Sequence, residues 1–299
     1  MTAALRSGRP AFPSLDEAQR WVLNSVLNSG ERSSPRGIPT LELLAQSFTI
    51  EHPRCRRVMT PERGWSFPLA IGEFCRHASG SSDLSSIGYY APRWKEFSDD
   101  QKRISGSCYG ARIFGTAPDG TRQWDRLVDL LSVDPDSRRA VFDLQSYGPT
   151  LTNMAKDVSC TTSMQFFVRH HRLHTIVNMR SNDVVWGLPY DIFLFTMLQE
   201  LLACTLGLEL GHYHHFVGSL HLYERHVRLA ERVLRAQPPP SYTMPPMDHP
   251  EQLPAFLSCE AAIRMGGAAI LSGLSPYWRS LADVLVGYAT RARPLAEAL

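Results

Sequence analysis

The chain has 299 residues and a formal net charge of +2, so it is long enough for one large domain or two small ones. Near-neutral charge gives no footing for bulk nucleic-acid binding, and no apolar run reaches the length of a membrane span. The N-terminus, MTAALRSGRPAFPSLDEAQ, lacks the apolar core of a signal peptide. Its six cysteines (55, 75, 108, 160, 204 and 259) form no CxxC pair. That pattern predicts reduced thiols in a cytoplasmic protein rather than a disulfide framework or a zinc site.

In chain order, residues 1–13 are polar, carry prolines and read as loose. Ser14 followed by Glu17 opens a helix with apolar Trp21, Val22, Val26 and Leu27, which Gly30 ends. A loop holding Arg36 leads to a strand over 41–50. PLAIGEFCRHASG (68–80) reads as a helix with Pro68 at its start and Gly80 at its end. Residues 81–123 read as irregular, TRQWDRLVDLLSVDP as an amphipathic helix, and DSRRAVFDL as a turn into a strand. VSCTTSMQFFVRH, LHTIVNMRS and LGHYHHFVGSLHLY read as extended. PYDIFLFTMLQELLACTLGL lies between the last two as a buried helix, and YERHVRLAERVLRA follows as a charged one. After the proline-rich QPPPSYTMPP, two helical stretches are predicted around 251–271 and 275–292. The mixture predicts an α/β (α+β) fold, a mixed β-sheet packed with helices.

Chemistry-bearing residues concentrate between Cys160 and Tyr223. Taken alone, Cys160 reads as a buried structural thiol, Arg180 as a surface ion-pairing group, and Asp191 as an acidic residue favoured by a helix N-terminus. His212, His214 and His215 invite a metal reading, but no carboxylate or cysteine partner is apparent. The order of elements is more specific than any one of them. Cys160 stands five residues before Gln165. Arg180-Ser181-x-Asp183 follows, then Gly187-Leu-Pro-Tyr-Asp191, then His221-x-Tyr223.

This ordered set resembles the thymidylate synthase / deoxycytidylate (cytidylate) 5-hydroxymethylase family, over about residues 14–235 and most strongly from 134 to 226. The resemblance implies a single catalytic domain over 1–299, with a core of about 14–235 and a helical C-terminal extension of about 241–299. It further implies a metal-free enzyme, a homodimer through the sheet, a pyrimidine nucleoside monophosphate as substrate and 5,10-methylenetetrahydrofolate as cofactor. In the family the thiolate matching Cys160 adds to C6 of the base and makes C5 nucleophilic, with arginine lowering the thiol pKa. Glu73 matches a glutamate that organises water and shuttles protons, and a glycine follows it at the family's distance, here Gly80. By itself Glu73 reads equally well as a solvated helix residue. Arg36, Arg180 and Ser181 match phosphate-binding positions, and Gln165 lies in the same motif. Arg138 and Arg139, after Asp-Pro-Asp-Ser, match a pair that reaches the partner subunit's nucleotide. His221 and Tyr223 match residues that hold the sugar. Trp94, Tyr109, Asp183 and Gly187 match positions at the folate and reaction pocket.

Asp191 stands where uracil-using members carry Asn and cytosine-using members Asp, so the resemblance leans to hydroxymethylation of dCMP or CMP. Thr161 stands where synthases have His, and KDVS precedes Cys160 where they have an apolar residue and Pro. The chain closes PLAEAL, unlike the synthases' short tail. Polar Lys156, Asp157 and Ser159 would favour water at the one-carbon unit, as a hydroxymethylase needs. The alternatives are a dCMP or dUMP methyltransferase and a catalytically silent paralogue that binds nucleotide or RNA.

Overall fold

The computed structural model describes residues 10–145 and 155–296. Residues 1–9 and the last three of PLAEAL lie outside the described residues. The strands are β1 (Ala11–Phe12), β2 (Glu31–Ser33), β3 (Thr40–Ile50), β4 (Val141–Asp143), β5 (Thr161–Arg169), β6 (Arg172–Asp183) and β7 (Glu209–Tyr223). The helices are α1 (Leu15–Ser29), α2 (Phe67–Ala78), α3 (Leu84–Gly88), α4 (Tyr109–Ile113), α5 (Gln123–Val133), α6 (Gly187–Thr205), α7 (Val227–Arg235), α8 (Leu253–Arg264) and α9 (Pro276–Ala296). The chain divides into two compact units. The first takes residues up to 65, 160–199 and 209–244, and the second takes 66–159, 200–208 and the chain from 245 on.

In the first unit the sheet runs β1-β3-β7-β6-β5, with β2 paired to β3. β6 and β7 are parallel, whereas β3–β7 and β5–β6 are antiparallel. The parallel pair needs a crossover, and α6 opens it. That helix is apolar on every face, the mark of a helix enclosed on all sides. Leu188, Ile192, Phe193, Phe195 and Leu198 are fully buried, and Gln199 donates through Nε2 to Leu173 O at 2.9 Å. Ser14 caps α1 by accepting the Glu17 N–H, as its sequence predicts. Residues 11–12, read as loose, are instead a short strand parallel to the end of β3.

In the second unit α2 packs with α3, α4, α8 and α9. Ser66 caps α2 through the Leu69 N–H, one residue ahead of the sequence expectation. The stretch read as irregular contains α3 and α4, both a single turn or little more. The helix expected over 251–271 ends at Arg264, because Gly266 takes φ 78°, a left-handed conformation that glycine reaches without strain. No helix among the described residues is long and apolar enough to cross a membrane.

Candidate functional site

Cys160 directly precedes β5 and borders β6, where its carbonyl accepts the Arg180 N–H at 2.8 Å. The Arg180 guanidinium reaches back, with Nη2 3.6 Å from Cys160 Sγ. A cation at that distance favours the thiolate over the thiol. β5 carries a register irregularity between Thr161 and Ser163, right after the cysteine. Gln165 lies farther along the same strand, opposite Ile176. At about 3.3 Å per residue it is some 16 Å of strand away, so β5 carries it away from the thiol.

On β6 and β7, Ser181 pairs with Ser219 and Asp183 with His221. Ser181 Oγ lies 3.4 Å from His221 Nδ1, and the His221 and Tyr223 rings meet edge to face at 5.1 Å. Tyr223 gathers the surrounding charges. Its phenol pKa is raised by burial first and then by the Asp183 carboxylate and the Cys160 thiolate, against the lowering pull of Arg36 and Arg225. Arg36 thus stands within electrostatic reach of that ring. It sits in an exposed turn at φ 55°, a left-handed conformation unusual for a residue with a Cβ. The Arg225 guanidinium lies 4.6 Å from the Tyr223 ring centre.

Asp183 turns the chain into α6 by accepting the N–H groups of Val185 (2.9 Å) and Trp186 (3.3 Å). At Gly187 a Cβ would stand 2.9 Å from Asn182 Nδ2 and 3.4 Å from Asp191 Oδ2, so the helix begins hard against those polar groups. Asp191, just past the first turn of α6, accepts from Asn182 Nδ2 at 2.7 Å. Asn182 Oδ1 lies 3.1 Å from His215 Nε2, and Tyr213 OH lies 3.0 Å from His215 Nδ1. Burial pushes the His215 pKa down to about 3. The ring is therefore neutral with a single proton, which Nε2 donates to Asn182 while Nδ1 accepts from Tyr213. This fixes the Asn182 amide so that it offers Asp191 a donor. Burial pushes the Asp191 pKa up to about 7, with the Asn182 hydrogen bond opposing and the Asp183 charge adding to the rise. The result is a carboxyl that can carry or release a proton near neutrality.

Sequence reasoning missed Asn182, His215 and Tyr213, although strand alternation offered the signal. His212 and His214 share one face of β7 and His215 the other. His174 of β6, rather than His215, joins the first two, and nitrogens of the three lie within 4.8 Å of one another. His174 Nδ1 accepts the His212 N–H at 3.1 Å, and His214 Nδ1 pairs with Thr49 Oγ1 at 2.9 Å. Burial and then the charges of His212 and Arg172 lower the His174 pKa. Trp186 and Arg63 were missed as well. The indole is 42% exposed, and the Arg63 guanidinium lies 4.7 Å from its ring centre.

The remaining sequence candidates belong to the second unit. Glu73 is half-buried on α2. Tyr109 opens α4 with its ring stacked on His77 at 5.2 Å, and the Arg76 guanidinium stands 5.5 Å from the Trp94 ring centre. Arg138 and Arg139 are exposed in the turn before β4. Asp157 and Ser159, read as polar groups favouring water, serve the unit's own backbone. The Asp157 carboxylate accepts the Ser107 N–H, and Ser159 donates to Leu144 O at 3.0 Å.

A family model described as thymidylate synthase matches residues 20–256. A thymidylate synthase of Bacillus subtilis subsp. natto is 30% identical over 228 residues, covering 71% of this chain and 80% of that protein. A thymidylate synthase of Bacillus atrophaeus is 35% identical over 147 residues, covering 49% and 64%. A deoxyuridylate hydroxymethyltransferase of Bacillus phage SP01 is 28% identical over 214 residues, covering 68% and 55%. The chain belongs to the thymidylate synthase family, one-carbon transferases that act on C5 of pyrimidine nucleotides and draw on methylenetetrahydrofolate.

Proposed function

We propose that this chain is a hydroxymethyltransferase acting on C5 of a cytidine monophosphate, dCMP or CMP. The observation that carries the reading is Asp191, a half-buried carboxyl with one oxygen tied to Asn182 and a pKa of about 7. A carboxylate accepts from the 4-amino group of cytosine, and the same group holding a proton serves the N3 edge. Uracil presents a carbonyl oxygen where cytosine has its amine, so an ionised Asp191 would face a second acceptor. The similarity to a protein named deoxyuridylate hydroxymethyltransferase supports the hydroxymethyl outcome, though that name points to the other base.

In this reading Cys160 Sγ bonds to C6 of the base, with Arg180 holding the thiolate. Arg36, Arg180 and Ser181 hold the phosphate, and His221 and Tyr223 hold the sugar. Glu73 moves protons and orders water. Bound methylenetetrahydrofolate supplies a one-carbon unit at the oxidation level of formaldehyde. In the first unit the candidates to hold it are Asp183 and Gly187. The flat exposed face of Trp186 beside the Asp183 carboxylate suits a ring system rich in N–H donors. In the second unit the candidates are Trp94 and Tyr109. A second reading, methyl transfer, has in its favour that most of the named relatives are thymidylate synthases.

The deciding experiment offers CMP, dCMP, UMP and dUMP with methylenetetrahydrofolate and identifies the products by mass. Hydroxymethylcytidine nucleotide with release of tetrahydrofolate is expected. A methylated product, with the near-ultraviolet absorbance rise of dihydrofolate, favours the second reading.

The same reading includes a homodimer through the sheet with shared sites. Supporting it are the exposure of Leu44 on β3, at 67%, and of both arginines in the DPDSRR turn. Mixing an inactive Cys160→Ala chain with an inactive Arg138→Ala/Arg139→Ala chain is expected to restore up to about a quarter of parental activity, because one hybrid site carries neither defect. No recovery after proven subunit exchange counts against sharing.

A further inference from the structure

The family match stops at residue 256, yet α2 is packed by α8, most of which lies beyond it, and by α9. Phe74 of α2 stacks on Trp278 of α9 at 6.5 Å, and Trp278 in turn meets Phe256 of α8 at 5.0 Å. Next to Glu73 stands Gly72, and the Tyr90 ring lies directly on its backbone. A Cβ at Gly72 would be 2.3 Å from Tyr90 Cδ2. The far end of Tyr90 is held from the C-terminal helices. Its hydroxyl donates to Glu260 Oε1 of α8 at 2.9 Å. Arg264 Nε donates to the same oxygen at 2.9 Å and Nη2 to Oε2 at 3.4 Å. Tyr288 of α9 backs the Tyr90 ring at 5.6 Å.

Glu260 is a charged group only 5% exposed, and such a group keeps one geometry because its partners are few and fixed. Tyr90 is thereby clamped between α8 and the backbone of α2, one residue from Glu73. We propose that Tyr90 and Glu260, with Arg264, are positioning residues for Glu73, so that side chains beyond the family match help set where that carboxylate stands. The proposal rests on reading Glu73 as the proton-handling group.

The test uses the full chain with dCMP, CMP and dUMP, each with methylenetetrahydrofolate. Tyr90→Leu removes the ring from Gly72 and is expected to lower kcat by about 100-fold, the scale of a 1 Å misplacement. The nucleotide KM should stay within about threefold, since a positioning defect acts on the reacting geometry rather than on ground-state binding. Tyr90→Phe keeps the ring, and Glu260→Gln keeps the shape of the clamp. Each is expected to lose about three- to tenfold in kcat. In a Glu73→Gln background all three should change the residual rate by no more than about twofold, because groups acting through one residue are not additive. Thermal unfolding confirms that each variant is folded at the assay temperature, and the Phe and Gln variants carry the test if Tyr90→Leu is not. Equal fractional losses in both backgrounds, or parental kcat in the folded variants beside an inactive Glu73→Gln, overturn the proposal alone. Parental kcat in Glu73→Gln overturns the reading of Glu73 and the proposal with it.

Discussion

Replacing Cys160 by alanine is expected to reduce turnover by at least about 10⁴-fold while leaving nucleotide affinity within about tenfold. The asymmetry follows from what each group does. Bonding at C6 is a covalent event that requires a thiolate, and no other cysteine is described beside Arg180. Of the remaining five, Cys55, Cys75, Cys108 and Cys259 are buried, and Cys204 lies on α6 with its thiol 3.4 Å from Met247 O. In the proposed reading, affinity comes instead from charged contacts to phosphate and hydrogen bonds to sugar, which the substitution leaves in place. Single-turnover rates and nucleotide titration on the same preparation separate the two. Substantial turnover in the alanine variant would remove Cys160 from the mechanism.

Asp191→Asn is expected to move the ratio of catalytic efficiencies for dCMP and dUMP toward dUMP by ten- to a hundredfold. A site matched to one donor–acceptor pattern leaves buried groups unpaired with the other, at roughly 1–3 kcal/mol each. Asn keeps the size of the side chain and still accepts from Asn182 Nδ2. An unchanged ratio, or a parent that already prefers dUMP, turns the assignment toward the methyltransferase reading. The same variant carries a stability signature. The folded-state pKa of Asp191, about 7, stands above the unfolded value, so the parent is progressively disfavoured as pH rises from about 4 to about 7. Asn does not titrate there. The variant's stability relative to the parent should therefore rise over that window and level off above it, by roughly 4 kcal/mol at about 1.4 kcal/mol per pH unit. Urea unfolding at pH 5 and pH 8 reads about 3 kcal/mol of that rise.

Much of this was legible in the sequence because the signals are local. The Ser14 cap, the proline in the first turn of α2, the alternation of β5 to β7 and the apolar run of α6 each depend on neighbours a few residues away. The joining of Cys160 with Arg180 was also readable, since the ordered motif fixes both strands. What sequence hid depends on register. Asn182, His215 and Tyr213 become one hydrogen-bonded chain only when β6 and β7 are laid side by side in parallel, a pairing of segments more than 30 residues apart. The loose reading of residues 11–12 failed for a similar reason, because a two-residue strand has no periodicity and exists only through β3. Gln165 was named by motif order, and β5 places it five residues along the strand from Cys160. Glu260 drew no attention, since a glutamate in an amphipathic stretch reads as solvated until Tyr90 and Arg264 are found against it.

The interleaving of the two units also governs when the chain can fold. β3 is complete at residue 50, yet it pairs with β7, which ends at residue 223. The second unit is likewise unfinished until α8 and α9 follow. During synthesis the N-terminal strand must therefore wait, its apolar residues uncovered, for more than half of the chain to emerge. Contacts of such sequence separation slow folding and lengthen exposure to aggregation. Until β7 is made, β3 lacks the strand it pairs with, the kind of unpaired edge that makes folding intermediates prone to aggregate. An internal stop codon anywhere before β7 would yield a polypeptide unable to complete the sheet.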